Sequence, residues 1–422
     1  MNLRPATLKL ICPSLTRMLL FCAFGLCAQG QLALPTNAPS GLRVISDFPG
    51  GSAKVVSIDQ TNAVIRISPA GNPDRGFVCW WYFKVEGVEV GTSLTLEVSA
   101  SGWGRPDQAQ FSYDNRTWNQ TAPGEQKARN LTAYHLRVAS NEVWLAWGPP
   151  FLLRDATNLI SETCRSCPYA TSFELARTRE GRIVPAMKIS QPGVPDKDRY
   201  GIWVQARQHA WESGSSWVGR GFVEWLVSND PAAEALRKKA DIYFVPIMDV
   251  DNVELGNGGK NQKPHDQYWD WGTSPYFPEV QAAIERISAL ESGGRFDLFM
   301  DLHDPGAQDR NILFYTPAQP LLVAERLTNQ NYFLKIAQEE MTGPISFIGQ
   351  LGPAGATYDP VKDPASDCWI AHNCRPHVVA LVLETPWNTP ASTQAGYLKT
   401  GEQLGRCIEQ YLRTSIRSPA GK

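Results

Sequence analysis

Charge of one sign is what this chain most plainly lacks. Lys and Arg number 40 against 42 Asp and Glu, a formal net charge of -2 over 422 residues. Without a basic excess to neutralise phosphates, nucleic acid is excluded as the main partner. Long hydrophobic runs are scarce as well. The apolar stretch from Met18 to Cys27, MLLFCAFGLC, is about half of the roughly 20 residues that a membrane span requires. Histidine is rare, with six in the whole chain, so each one is weighed as a possible ligand. Cys164 and Cys167 form a CxxC pair, but no second pair completes a four-sulfur metal site.

The short apolar run has the makings of a leader instead. Arg4, Lys9 and Arg17 precede it, and Ala28, Gln29 and Gly30 supply small residues for cleavage, so residues 1–30 are expected to be a signal peptide. The mature chain is then exported, to the periplasm or beyond, with no stable membrane span. Of nine cysteines, Cys12, Cys22 and Cys27 leave with the leader. The six that remain suit disulfides in an exported protein, with Cys368 and Cys374 the expected close pair.

At 43% hydrophobic residues, the rest is long and apolar enough for two domains with real cores. Residues 31–155 alternate in short segments between turn residues: AKVVSI, AVIRIS, FVCWWYFKVEG, SLTLEVSA, QAQFSYD, AYHLRVA and EVWLAWG. That spacing predicts a small all-β sandwich. Trp80, Trp81, Trp103 and Trp118 fit its core better than a glycan-binding face. Residues 156–418 alternate helical and extended segments, as an α/β domain does.

Within the α/β part, Ile202, Trp203 and Val204 predict a strand, and Trp217, Phe222, Trp225 and Leu226 recur at helical spacing. Between them stand His209 and Glu212. An imidazole and a carboxylate three positions apart, just past a strand end, can converge on one zinc ion. An HxxE pair alone is more often solvated polar surface. A catalytic zinc needs a third protein ligand, and His303 ends the apolar strand in RFDLFMDLHDPG at the same topological position. Glu384 ends another apolar strand, HVVALVLE, where an unpaired carboxylate is costly unless the crevice uses it. It is the candidate general base.

The segment HAWESGSSWVGRGFVEWL resembles the HPGESNSSW-type segment of the M14 zinc carboxypeptidases, in particular the cytosolic carboxypeptidase branch. DLFMDLHD is similar to that family's DLHGH, and the strand ending in Glu384 to its TLE segment. WYFKVEG, FSYDNRTW and VWLAWGPPFLL sit where this branch has a small N-terminal β domain that packs on the catalytic one. The resemblance implies an M14-type catalytic domain, a mixed sheet flanked by helices. It implies one zinc ion on His209, Glu212 and His303, with Glu384 as base and then acid toward a water held by zinc. The word "cytosolic" does not carry over to a chain with a leader.

The departures bear on specificity. VPIMDVDNVELGNGG resembles VPMLNPDGVxxGNxR, which puts the family's carbonyl-polarising arginine on Gly259, with Lys260 beside it. DQYWDW lies over DLNRxW, so Tyr268 and Trp269 replace the Asn and Arg that grip a terminal carboxylate. An aromatic pair offers no bidentate partner. Either Lys260, Lys263 or Arg310 does that work, or the substrate has no free carboxylate there. A peptide is therefore one expected substrate, cut by a peptidase or amidase with altered end recognition. An acylated carbohydrate is the other, with Tyr268, Trp269, Trp271 and Trp387 as stacking faces for a deacylase or esterase. A binding protein without chemistry fits the retained ligands and base poorly.

Overall fold

The structure, a computed structural model, describes residues 41–362 and 364–414. The leader expected over residues 1–30, and the last four residues of the expected catalytic domain, lie outside them.

Two periods organise the chain. In the N-terminal part, strands such as Val64–Ser68 and Ser93–Ser99 bury every second residue and so present one apolar face. Ten strands make two five-stranded sheets. One runs Arg43–Ile45, Tyr82–Glu86, Glu142–Ala146, Gln110–Ser112, Asn119–Gln120; the other runs Lys54–Asp59, Val64–Ser68, Ser93–Ser99, Leu131–Arg137, Glu125–Ala128. The core between them holds Trp81, Phe83, Val85, Leu96 and Tyr134, all buried. Each large side chain removed from water contributes roughly 1.5–3 kcal/mol. Trp80, Trp81 and Trp118 are buried, and Trp81 Nε1 donates to Gly104 O at 2.8 Å, so these rings are structural.

In the C-terminal part the central strands are buried on both faces. Its eight-stranded sheet runs Ala170–Arg177, Ile183–Ile189, Ala240–Val245, Tyr200–Ala206, Leu298–His303, Val379–Glu384, Ile312–Tyr315, Phe347–Leu351. The four central strands are mutually parallel, which places helices on both faces and explains their unbroken apolar runs. From Tyr200–Ala206 the chain steps first to Ala240–Val245 on one side, then to Leu298–His303 and Val379–Glu384 on the other. The order therefore reverses between Tyr200–Ala206 and Leu298–His303, which is where open α/β sheets form a crevice beyond their carboxyl ends.

On one face the helices Ser213–Leu226 and Gln394–Tyr411 pack closely because glycines face each other. A Cβ on Gly221 would stand 2.1 Å from Leu398 O, and one on Gly401 1.9 Å from Val218 O.

The two parts are stitched together by backbone. Phe77 N donates to Lys260 O at 2.9 Å and Gly259 N to Arg75 O at 2.9 Å, so a loop of the sandwich grips the loop that carries Lys260. A Cβ on Gly258 would lie 2.1 Å from Phe77 O, which leaves room for glycine alone. Trp103, Trp147, Trp211 and Trp387 close the junction as one aromatic cluster.

No disulfide joins the described cysteines, and the expected Cys368–Cys374 bridge is not formed. Cys368 lies within helix Ser366–Asn373 and Cys374 just past its end, and six residues at helical rise span about 9 Å, beyond the reach of a disulfide.

Candidate active site

The loop after strand Tyr200–Ala206 turns sharply. Arg207 has φ 64°, a left-handed backbone that a non-glycine residue adopts at a cost of about 1–3 kcal/mol. Its buried guanidinium offsets that by donating to Ala210 O at 3.0 Å and Phe151 O at 3.1 Å. The turn brings His209 inward and ends at Glu212, the residue before helix Ser213–Leu226, whose positive end favours a carboxylate. His303 closes strand Leu298–His303, and the parallel ladder pairs it directly with Glu384. Strand register thus fixes two of the four groups.

Three donor atoms converge. His209 Nδ1 lies 2.8 Å from Glu212 Oε1, His303 Nδ1 lies 2.8 Å from Glu212 Oε2, and the two Nδ1 atoms are 3.1 Å apart. All three residues are buried. Two imidazole nitrogens turned toward each other and toward one carboxylate, away from bulk water, make the arrangement of a metal site, and the ligand atoms lie within 4.8 Å of one another. The other ring nitrogens face carboxylates, His209 Nε2 at 3.5 Å from Asp266 Oδ1 and His303 Nε2 at 3.3 Å from Asp301 Oδ1. Neither contact is a hydrogen bond, but each carboxylate stands where it attracts a proton to Nε2 and so favours the tautomer that leaves Nδ1 for a metal. The residues fit zinc.

Electrostatics agree. Burial alone would lift the Glu212 carboxyl, but the His209 and His303 imidazoles outweigh it and hold the group below its ordinary range. Burial would lower both imidazoles. For His209, chiefly Glu212 reverses that, and for His303 Asp301 and Glu212 together, so both are raised in the metal-free protein. Burial pushes the Glu384 carboxyl up to about 7, which suits a group that must both take and return a proton near neutrality.

Beyond these groups opens a cleft of about 490 Å³, walled by Tyr268, Trp269, Tyr315, Thr357, Tyr358 and Asp367. Lys260 reaches into it, half-buried, with Nζ 3.4 Å from His209 Nδ1 and 3.9 Å from Glu212 Oε1. Gly259 cannot take that role. Its φ is 77°, and a Cβ there would meet Ala210 N and Asp249 Oδ2, each at 2.7 Å. Tyr268 donates its hydroxyl to Asp367 Oδ1 at 3.1 Å, and Trp269 is 44% exposed.

Arg310 is corrected by its position: it does not line this cleft. Its guanidinium is on the surface, donating to Ala307 O at 2.7 Å and to Asp107 Oδ2 at 3.2 Å. Lys263 likewise points elsewhere, paired with Asp74 Oδ1 at 2.8 Å. Two of the four aromatic faces expected to hold a sugar are also unavailable. Trp271 is fully buried, donating to Gln208 Oε1, and Trp387 is 6% exposed, donating to Pro305 O.

Sequence reading missed Asp266, Asp301 and Asp367. Asp301 was findable, since it lies two residues before His303 on the same face of one strand. The other two come from loop and helix segments that only the tertiary fold brings near.

Two family models match the chain, "Zinc carboxypeptidase" over residues 157–280 and "Cytosolic carboxypeptidase N-terminal domain" over residues 44–147. His303 and Glu384 lie beyond the first match, so their place rests on geometry. An uncharacterized protein of Zymomonas mobilis is 26% identical over 62% of this chain and 67% of its own length. Cytosolic carboxypeptidase 6 of Caenorhabditis elegans is 28% identical over 40% of this chain, and the match spans 38% of that protein. For mouse cytosolic carboxypeptidase 4 the identity is 34%, but the match spans 10% of it. Among solved structures, a metallo-carboxypeptidase from Burkholderia cenocepacia superposes with TM-score 0.76 at 22% identity, covering 88% of this chain and 99% of that one. One from Pseudomonas aeruginosa, in complex with (2-guanidinoethylmercapto)succinic acid, gives 0.76 at 20% identity, covering 89% and 100%. At these identities the likeness is one of fold.

Proposed function

We propose that this chain, which carries an M14-type zinc carboxypeptidase domain behind a cytosolic carboxypeptidase N-terminal domain, is an exported hydrolase that cleaves amide bonds with atypical end-group specificity. The observation that carries this reading is the convergence of His209, Glu212 and His303 beside Glu384 at the sheet's switch point. His209 Nδ1, His303 Nδ1 and Glu212 would hold zinc, with Asp266 and Asp301 orienting the two rings. Zinc, when bound there, supplies a Lewis acid that makes water acidic enough to attack near neutral pH. Glu384 would take a proton from the attacking water and give it to the leaving nitrogen as the amide C–N bond breaks. Lys260 presents its ammonium where negative charge develops on the carbonyl oxygen, a stabilisation realised mainly in the transition state.

The atypical specificity rests on Tyr268 and Trp269. Neither offers a cation to a free terminal carboxylate, and burying that group unpaired is costly. Export rests on residues 1–30 alone. No helix among the described residues is long and apolar enough to cross a membrane.

The test is metal analysis joined to parallel assays on C-terminally free peptides, C-terminally amidated peptides and acylated oligosaccharides. We expect one zinc per chain, lost in His303→Ala, and turnover of amidated peptides. Less than about half an equivalent after reconstitution, unchanged in His303→Ala, would defeat the site. Efficient release of C-terminal residues from many simple peptides would defeat the specificity.

A further inference from the structure

Beside the imidazoles, four polar side chains are sealed from water and joined to one another. Gln208, Trp271, Asp301 and Ser366 are all fully buried. Trp271 Nε1 donates to Gln208 Oε1 at 2.8 Å, Gln208 Nε2 donates to Asp301 Oδ2, and Ser366 Oγ donates to that same oxygen at 2.7 Å. An indole N–H can only donate, so the Gln208 amide stands one way round, its oxygen toward Trp271 and its nitrogen toward Asp301. Both donors fall on Oδ2. That leaves Asp301 Oδ1 without a hydrogen bond among the described residues, 3.3 Å from His303 Nε2.

The chain position of Gln208 gives this network its reach. Gln208 immediately precedes His209, in the turn after strand Tyr200–Ala206. The ladder between that strand and Leu298–His303 has Ala206–Leu302 as its last pair, so pairing between the two segments stops short of both histidines. Gln208 continues the connection by side chain, from the residue beside one ligand to the carboxylate beside the other. Trp271 anchors it: the indole that holds the amide packs edge to face on Phe299, with ring centroids 5.5 Å apart. A buried amide that let go of either partner would leave polar groups unpaired, which keeps it in this one geometry.

We propose that Gln208 is a positioning residue for the metal centre: by gripping Asp301 it sets where that carboxylate stands beside His303, and it ties the orientation of His303 to the turn that carries His209. The inference rests on the reading of His209, Glu212 and His303 as zinc ligands. Rings aligned before an ion arrives bind it more tightly than rings that must first be ordered.

The test is zinc affinity by competition with a chelator, which needs no turnover, in a double-mutant cycle of Gln208→Met and Asp301→Asn. Gln208→Met keeps the length of the side chain and removes both hydrogen bonds. We expect it to weaken zinc about tenfold in the parent but by no more than about twofold in Asp301→Asn, where the route to His303 is already cut. Cobalt(II) in place of zinc supplies a spectroscopic readout: its visible bands should shift in Gln208→Met, and should coincide in Asp301→Asn and the double variant. Affinity of Gln208→Met within about twofold of the parent overturns the proposal. So does an equal loss in both backgrounds, which would mean local damage to the His209 turn. If circular dichroism shows Gln208→Met unfolded, the cycle is repeated with Trp271→Phe, which leaves Gln208 in place and removes the donor that orients it. The same pattern is then expected at about threefold. Loss of the fold there too overturns the proposal, since the network would serve folding alone. Failure of the zinc reading looks different: the parent itself binds no zinc.

Discussion

The two ends of the cleft are built by different means. At the metal end, ladder hydrogen bonds fix His303 and Glu384, which close adjacent parallel strands, and His209 is held by the short turn that follows a third strand. At the far end, Tyr268, Trp269 and the wall from Pro353 to Tyr358 come from connections between strands and helices. Register cannot drift by one residue without turning every side chain to the other face, whereas a connection can exchange side chains at little structural cost. Chemistry is thereby separated from recognition, and each end should respond to substitution in its own way.

The sharpest contrast comes from Glu384→Gln. It keeps shape and metal but removes the proton acceptor, and turnover should fall by roughly 10² to 10⁴ with zinc content unchanged. Near-normal turnover would place the base elsewhere. Lys260→Ala tests whether the cation in the cleft belongs to the chemical end. If it stabilises developing charge, kcat should fall by about 10² with little change in KM. A rise in KM alone would move Lys260 to the recognition end.

Asp301→Asn probes how the strand-built end is tuned from behind. Losing the carboxylate at His303 Nε2 should weaken zinc affinity by roughly 10- to 100-fold in a competition with a chelator. The pH dependence of that same competition has a fixed sign. Both imidazoles are raised above their ordinary values in the metal-free protein, so zinc must displace their protons, and apparent affinity should fall as pH falls through those values. Affinity independent of pH between 5 and 8 would contradict the protonated state. The smallest effect is expected from Arg310→Ala. Its ion pair with Asp107 is exposed, worth at most about 1 kcal/mol, and it lies outside the cleft, so kcat/KM should stay within about twofold.

The same division governs what could be read from the sequence. The fold was legible because its two halves carry different periods, alternation in the sandwich and apolar runs in the parallel sheet. His303 and Glu384 were visible because each ends such a run, and His209 and Glu212 because they stand three positions apart just past another. What stayed hidden depends on which face a connection presents. Trp269 and Trp271 are two residues apart, yet one is exposed and the other fully buried, a difference no local pattern encodes. Cys368 and Cys374 looked close in sequence, and the helix that carries Cys368 sets them apart. The carboxylates behind the imidazoles are a matter of tertiary pairing, with Asp301 alone betrayed by its spacing from His303.

The backbone grip of Arg75 and Phe77 on Gly259 and Lys260 has a consequence for how such a protein can be inherited or recombined. Sandwich and hydrolase look like separable cassettes, but the hinge of the cationic loop is shared property. Grafting a different sandwich onto this catalytic half would alter where the Lys260 ammonium stands, and so change the reaction without touching a single residue that meets the substrate. The two halves are coupled through that loop.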